Sequence, residues 1–110
     1  MKRSTSGGKV SFLNHPAHRA AELVRDGYTI IDVREPHEVR GGALPDSTNI
    51  PLGDLHRRVS SFPLSTKIAV VCQSGARSMQ AAQTLVALGY HNVANLAGGM
   101  NSAQARSLAG

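Results

Sequence analysis

Two short β-branched runs, Thr29 to Val33 (TIIDV) and Lys67 to Val71 (KIAVV), constrain the fold of this chain most. Neither alternates apolar with polar residues, so each reads as a strand covered on both faces, the habit of parallel sheets. Helical spacing surrounds them. Ala17, Ala20, Ala21 and Val24 define one face of a helix predicted over Pro16 to Asp26, with Asn14 or His15 as its cap and Pro16 in its first turn. Ala81, Ala82, Leu85, Val86 and Leu88 do the same for a second helix over Ser78 to Leu88. Both patterns end in Leu-x-x-x-Gly-Tyr, at Leu23 to Tyr28 and at Leu85 to Tyr90, which predicts a glycine turn with the Tyr folded back on the Leu. Strands joined by helix-sized connections imply parallel neighbours with helices on both faces.

The remaining segments fill in around these. Val10 to Leu13 reads as a short edge strand, Pro36 to Arg40 as a short helix, Ser47 to Ile50 as a short strand and Pro51 to Val59 as another short helix. Asn92 to Leu96 is the last predicted strand, and Met100 onward a C-terminal helix. With 110 residues there is room for one core, so residues 9–110 are expected to form a single domain behind a Ser/Gly-rich leader, residues 1–8. Only 4% of residues are aromatic, so that core is aliphatic.

Partner classes narrow in the same way. The net charge is +5, but Lys2, Arg3 and Lys9 supply three of the positive charges, and no Lys/Arg cluster is interleaved with aromatics as a nucleic-acid surface requires. No apolar run approaches a membrane span, and a single cysteine cannot form an internal disulfide. A soluble protein of a reducing, cytoplasmic compartment is expected, with neither nucleic acid nor membrane as partner.

That single cysteine, Cys72, stands at the end of the KIAVV strand in the stretch CQSGARS. In such sheets ligands bind at the carboxyl ends of strands. A thiol becomes nucleophilic when positive potential lowers its pKa. Gln73, Ser74, Gly75 and Ala76 are small or flexible enough to curl round the sulfur, Gly75 can take positive φ so that successive N–H groups point inward, and the following helix aims its positive end at the same point. Arg77 would close the ring. Alone, Cys72 would read as an ordinary buried strand-end cysteine; the Gly and Arg around it are what favour a cradle. Ser78 is either a plain helix cap or a hydroxyl donor to the sulfur.

Four segments together, IDVREPHEV (Ile31 to Val39), GALPDSTNIPL (Gly42 to Leu52), CQSGARS (Cys72 to Ser78) and NLAGGM (Asn95 to Met100), resemble the rhodanese (thiosulfate sulfurtransferase) superfamily in its single-domain form. The resemblance implies an α/β fold, a parallel sheet of about five strands flanked by helices on both faces, with the Cys loop at its C-terminal edge. It also implies a reaction in which the Cys72 thiolate takes the outer sulfur of thiosulfate, sulfite leaves, and a persulfide passes its sulfur to an acceptor such as cyanide, a thiol or a partner protein. No cofactor is implied. Arg77 with Gln73, Ser74, Gly75, Ala76 and Ser78 would bind the donor. Related phosphatase and arsenate-reductase loops have the form C-x5-R; the shorter C-x4-R here favours sulfur over phosphate.

Asp32 and Arg34 also match the family pattern, and a structural ion pair is the preferred role for them. Asn49 is expected to fix a loop backbone, and Gly98 and Gly99 to permit a tight strand-to-helix turn. The five histidines are scattered, and His15-x-x-His18 lacks a third ligand, so no metal is predicted. Ala43, Asp46, Ser47 and Ala103 depart from the family pattern at loop and rim positions. The alternatives to an enzyme are a sulfur-carrier or regulatory domain with little turnover and, further off, a small Cys-dependent phosphatase.

Overall fold

The computed structural model describes residues 11–102. Its strands are β1 (Leu13–Pro16), β2 (Thr29–Asp32), β3 (Ser47–Asn49), β4 (Lys67–Val71) and β5 (Asn92–Ala97). All pair in parallel, in the order β1-β5-β4-β2-β3. The helices are α1 (Ala20–Arg25), preceded by a 3₁₀ turn at Ala17–Arg19, α2 (Pro36–Val39), α3 (Leu55–Arg58), set between 3₁₀ turns, and α4 (Ala76–Ala87). No helix among the described residues is long and apolar enough to cross a membrane.

The unbroken apolar character of the central strands is explained by two cores. Ile31, Ile68, Val70 and Val93 pack with Leu55, Val59, Ala81, Ala82 and Leu85 on one face. Ile30, Ala69, Val71, Ala94 and Leu96 pack with Ala17, Ala20, Leu23 and Met100 on the other. Successive residues of β4 thus enter opposite cores, the period-two rule of a strand. Both Leu-x-x-x-Gly-Tyr segments close as expected. The Tyr28 N–H donates to the Leu23 carbonyl (2.9 Å) and Gly27 to Val24 (3.0 Å), while Tyr90 donates to Leu85 (3.1 Å) and Gly89 to Val86 (3.0 Å).

Three local expectations need correction. The edge strand is Leu13–Pro16, displaced along the chain from 10–13, because pairing with β5 sets Leu13 opposite Ala94 and Pro16 opposite Ala97. Pro16 is tolerated there since an edge strand need not donate on its outer side. Consequently Pro16 precedes the first helical turn without any side-chain cap, and Asn14 accepts a hydrogen bond from Asn95 instead of capping. Finally, α4 begins at Ala76 with Gly75 as its N-cap, so Ser78 lies inside the first turn and is not the cap. Helical structure resumes at residue 99; residues 1–10 and 103–110, where the expected leader and the remainder of the expected C-terminal helix fall, lie outside the described residues.

Candidate active site

Because every strand runs the same way, the segments after β2, β3, β4 and β5 leave the sheet at one edge. There Gly75, at φ 113° and ψ −17°, turns the chain back over the end of β4, a conformation that only glycine adopts freely. The turn brings the Gly75 N–H to 3.0 Å and the Ser78 N–H to 3.3 Å from Cys72 Sγ. The Ser78 hydroxyl stands 3.5 Å from the same sulfur. Cys72 is only 1% exposed, and its carbon side belongs to the core while its sulfur faces this ring of donors. Burial pushes the thiol pKa up, but the Ser78 hydroxyl and the N–H groups of Ser78, Gly75 and Ser74 outweigh it and leave the pKa lowered. A sulfur held this way is stabilised as an anion.

The loop is pinned from behind by the turn after β5. Met100 N–H donates 2.8 Å to the Cys72 carbonyl and Asn101 N–H 3.0 Å to the Gln73 carbonyl. With the carbonyls of Cys72 and Gln73 held outward, the following amides are left to face the sulfur. Gly99 makes this approach possible: a Cβ there would overlap the Cys72 carbonyl oxygen and stand 2.6 Å from that of Gln73. Gly99 thus serves close backbone contact beyond the tight turn expected of it.

Ser78 is buried at the centre of a polar chain. Its Oγ lies 2.6 Å from Asn95 Oδ1, and Asn95 Nδ2 donates 2.9 Å to Asn14 Oδ1. The sequence reading missed Asn95, although a polar residue in the buried run of β5 (NVANLA) is the signal that could have revealed it. The Ser78 hydroxyl donates to Asn95 Oδ1, with the Gly75 carbonyl at 3.1 Å, and accepts from the Cys72 thiol; once the sulfur ionises it can turn to donate to the thiolate, in competition with Asn95. Replacing Ser78 with Ala removes that donor, and the sign follows: the anion loses stabilisation and the thiol pKa rises. We expect the pH midpoint of Cys72 alkylation by iodoacetamide to move upward. An unmoved midpoint would leave the cradle to the amides alone.

Arg77 does not point its fork at the sulfur. Nη1 and Nη2 each donate 2.8 Å to the two oxygens of Glu38, a residue that the sequence reading passed over. The signal was present in Glu35-x-x-Glu38 around Pro36, a capping box that the structure forms at α2.

Asp32 and Arg34 form a buried pair, with Arg34 Nε 3.0 Å and Nη2 2.8 Å from the carboxylate oxygens. The same guanidinium donates to the Gly42 carbonyl (2.8 Å) and to Gln73 Oε1 (3.2 Å), and Gln73 Nε2 donates 2.7 Å to Asn101. Asn49 Nδ2 bonds the carbonyls of Asp32 and Arg34 at 2.9 and 2.8 Å. These contacts are structural ties, which bring the loops after β2, β4 and β5 together. Among the described residues no group of three or more His, Cys, Asp or Glu side chains is placed to hold a metal ion.

The fold and site together define a parallel α/β domain with a cysteine loop at the carboxyl end of its central strand. Comparison with known sequences identifies the family: the family model for the rhodanese-like domain matches residues 16–106, and the chain belongs to that family. A protein named sulfurtransferase from Allochromatium vinosum is 38% identical over 71 residues, covering 64% of this chain and 66% of that protein, so the match spans just under two thirds of the relative. The thiosulfate sulfurtransferase GlpE of Pseudomonas syringae is 30% identical over 88 residues, covering 80% of this chain and 83% of that protein. A rhodanese-related protein from Thermoplasma volcanium superposes with a TM-score of 0.77 at 33% identity, covering 86% of this chain and 93% of that one.

Proposed function

We propose that this chain is a sulfurtransferase in which Cys72 is the catalytic nucleophile and carries a sulfane sulfur between a donor and an acceptor. The observation that carries the reading is the pair of N–H donors, Gly75 and Ser78, aimed at Cys72 Sγ, with the Ser78 hydroxyl beside them. With thiosulfate as donor, the thiolate attacks the outer sulfur, a new S–S bond forms to Cys72, and the old S–S bond breaks with its electron pair leaving on sulfite. The product is an anionic Cys72 persulfide. Cyanide or a thiolate then attacks the terminal sulfur and returns the pair to Cys72, completing a double displacement. Both resting and loaded states are anions, so the amides serve throughout and no proton relay is needed.

Arg77, Gln73, Ser74, Gly75, Ala76 and Ser78 form the donor-binding loop in this reading, with Asp32, Arg34 and Asn49 supporting it. Rhodanese-family membership and relatives named sulfurtransferases support the activity, and the near-complete burial of Cys72 favours small, end-on donors.

Intact-mass measurement after incubation with thiosulfate tests the proposal. We expect a gain of one sulfur atom, lost again on adding cyanide with release of thiocyanate. Loading without turnover to cyanide would make the chain a carrier, and no gain with any sulfane donor would remove the proposal. Hydrolysis of an aryl phosphate above background would revive the phosphatase alternative.

A further inference from the structure

The guanidinium beside the cradle already holds an anion. Arg77 and Glu38 meet through two bonds of 2.8 Å across 39 positions of sequence, with side chains 37% and 23% exposed. Glu38 is also fixed independently of Arg77, because its Oε2 accepts the Glu35 N–H at 3.1 Å in the α2 capping box. The Arg77 hydrogen bonds, then the Glu35 amide, hold its carboxyl down to about 2, so it is charged at any working pH. Arg77 in turn is raised, by its hydrogen bonds to Glu38 first and with a smaller contribution from the charge on Cys72, so the guanidinium stays charged.

We propose that Glu38 is a specificity-determining residue: a built-in carboxylate that competes with the anionic end of an incoming sulfur donor for Arg77, and so weakens small anions relative to donors that reach Cys72 without needing the guanidinium. The identity of the donor rests on the sulfurtransferase reading above; the competition for Arg77 does not. An ion pair this exposed is weak enough for a dianion to displace. On displacement Glu38 keeps its bond to Glu35, so the carboxylate stays beside the approach and continues to repel anions. Arg77 alone would offer a two-pronged seat for an oxyanion; Arg77 with Glu38 offers a nearly neutral one.

The test compares Cys72 alkylation by anionic iodoacetate and by neutral iodoacetamide in the wild type and in Glu38→Gln. Both reagents consume the thiolate, so their rate ratio cancels the thiol pKa and reads only the charge at the rim. Glutamine retains the capping box, which keeps α2 formed. We expect the iodoacetate-to-iodoacetamide ratio to rise about fivefold, the most that one such ion pair supplies, and the gain to shrink at high salt. The KM for thiosulfate should fall by a similar factor, with less change in kcat. In the double variant with Arg77→Gln, where the pair is again neutral overall, the ratio should return to the wild-type value. An unchanged ratio overturns the proposal, as does a gain that survives in the double variant. A raised ratio in a protein that takes up no sulfur would sustain Glu38 as a filter while removing the sulfurtransferase reading.

Discussion

Cys72→Ser is expected to abolish sulfur uptake, with the thiosulfate-dependent mass gain absent and cyanolysis reduced by at least about 10³-fold, the scale on which loss of a covalent nucleophile acts. The chemistry is specific. A serine hydroxyl is not ionised near neutrality and cannot hold a sulfane sulfur in exchangeable form. Its oxygen still accepts from the Gly75 and Ser78 amides that now hold Sγ at 3.0 and 3.3 Å, so the loop keeps its partners and the melting temperature should change little. Mass spectrometry and thermal melting on the same sample separate the two effects. Retained sulfur loading by the folded variant would locate the nucleophile elsewhere in the chain.

The largest stability effect is expected from Gly99→Ala, a one-carbon change. Gly99 sits at φ 57°, where any other residue is strained, and its missing Cβ position is occupied by the Cys72 and Gln73 carbonyls. Neither contact belongs to a flexible side chain. The backbone of the loop or of the following helix must therefore move, breaking the Met100 and Asn101 bonds to those carbonyls. Strain and overpacking together cost on the order of 3 kcal/mol or more. For a domain of this size that lowers the melting temperature by roughly 15 °C. The displaced loop would also turn its amides from the sulfur, so alkylation of Cys72 should slow near neutral pH even where the variant remains folded. A melting temperature within a degree or two of wild type would show that the loop and helix are less tightly joined than the structure has them.

The architecture was legible because its signals are local. TIIDV and KIAVV carry no polar face to hide, and the repeated Leu-x-x-x-Gly-Tyr ending fixes where two helices stop. Cys72 and Gly75 were legible for the same reason, since the cradle is built within seven consecutive residues. What escaped lies in side-chain contacts distant in sequence. Glu38 meets Arg77 across 39 positions, Asn95 meets Ser78 across 17, and Asn14 meets Asn95 across 81. Asn14 reads as a helix cap by composition alone, yet the pairing of β1 with β5 gives it a different partner. Arg77 was expected to close the ring round the sulfur, whereas its fork meets Glu38, because spacing specifies where a guanidinium starts and not which carboxylate it finds.

Arg34 has a consequence for motion. One side chain grips Asp32, the Gly42 carbonyl and Gln73, and these lie on three separate stretches of backbone. None of the three can peel away without surrendering a charged hydrogen bond, so transient opening of the 34–42 stretch and of the cysteine turn becomes a shared event. Amide hydrogens in both should exchange with solvent at a common rate, and full exposure of the Cys72 side chain should require the whole assembly to let go.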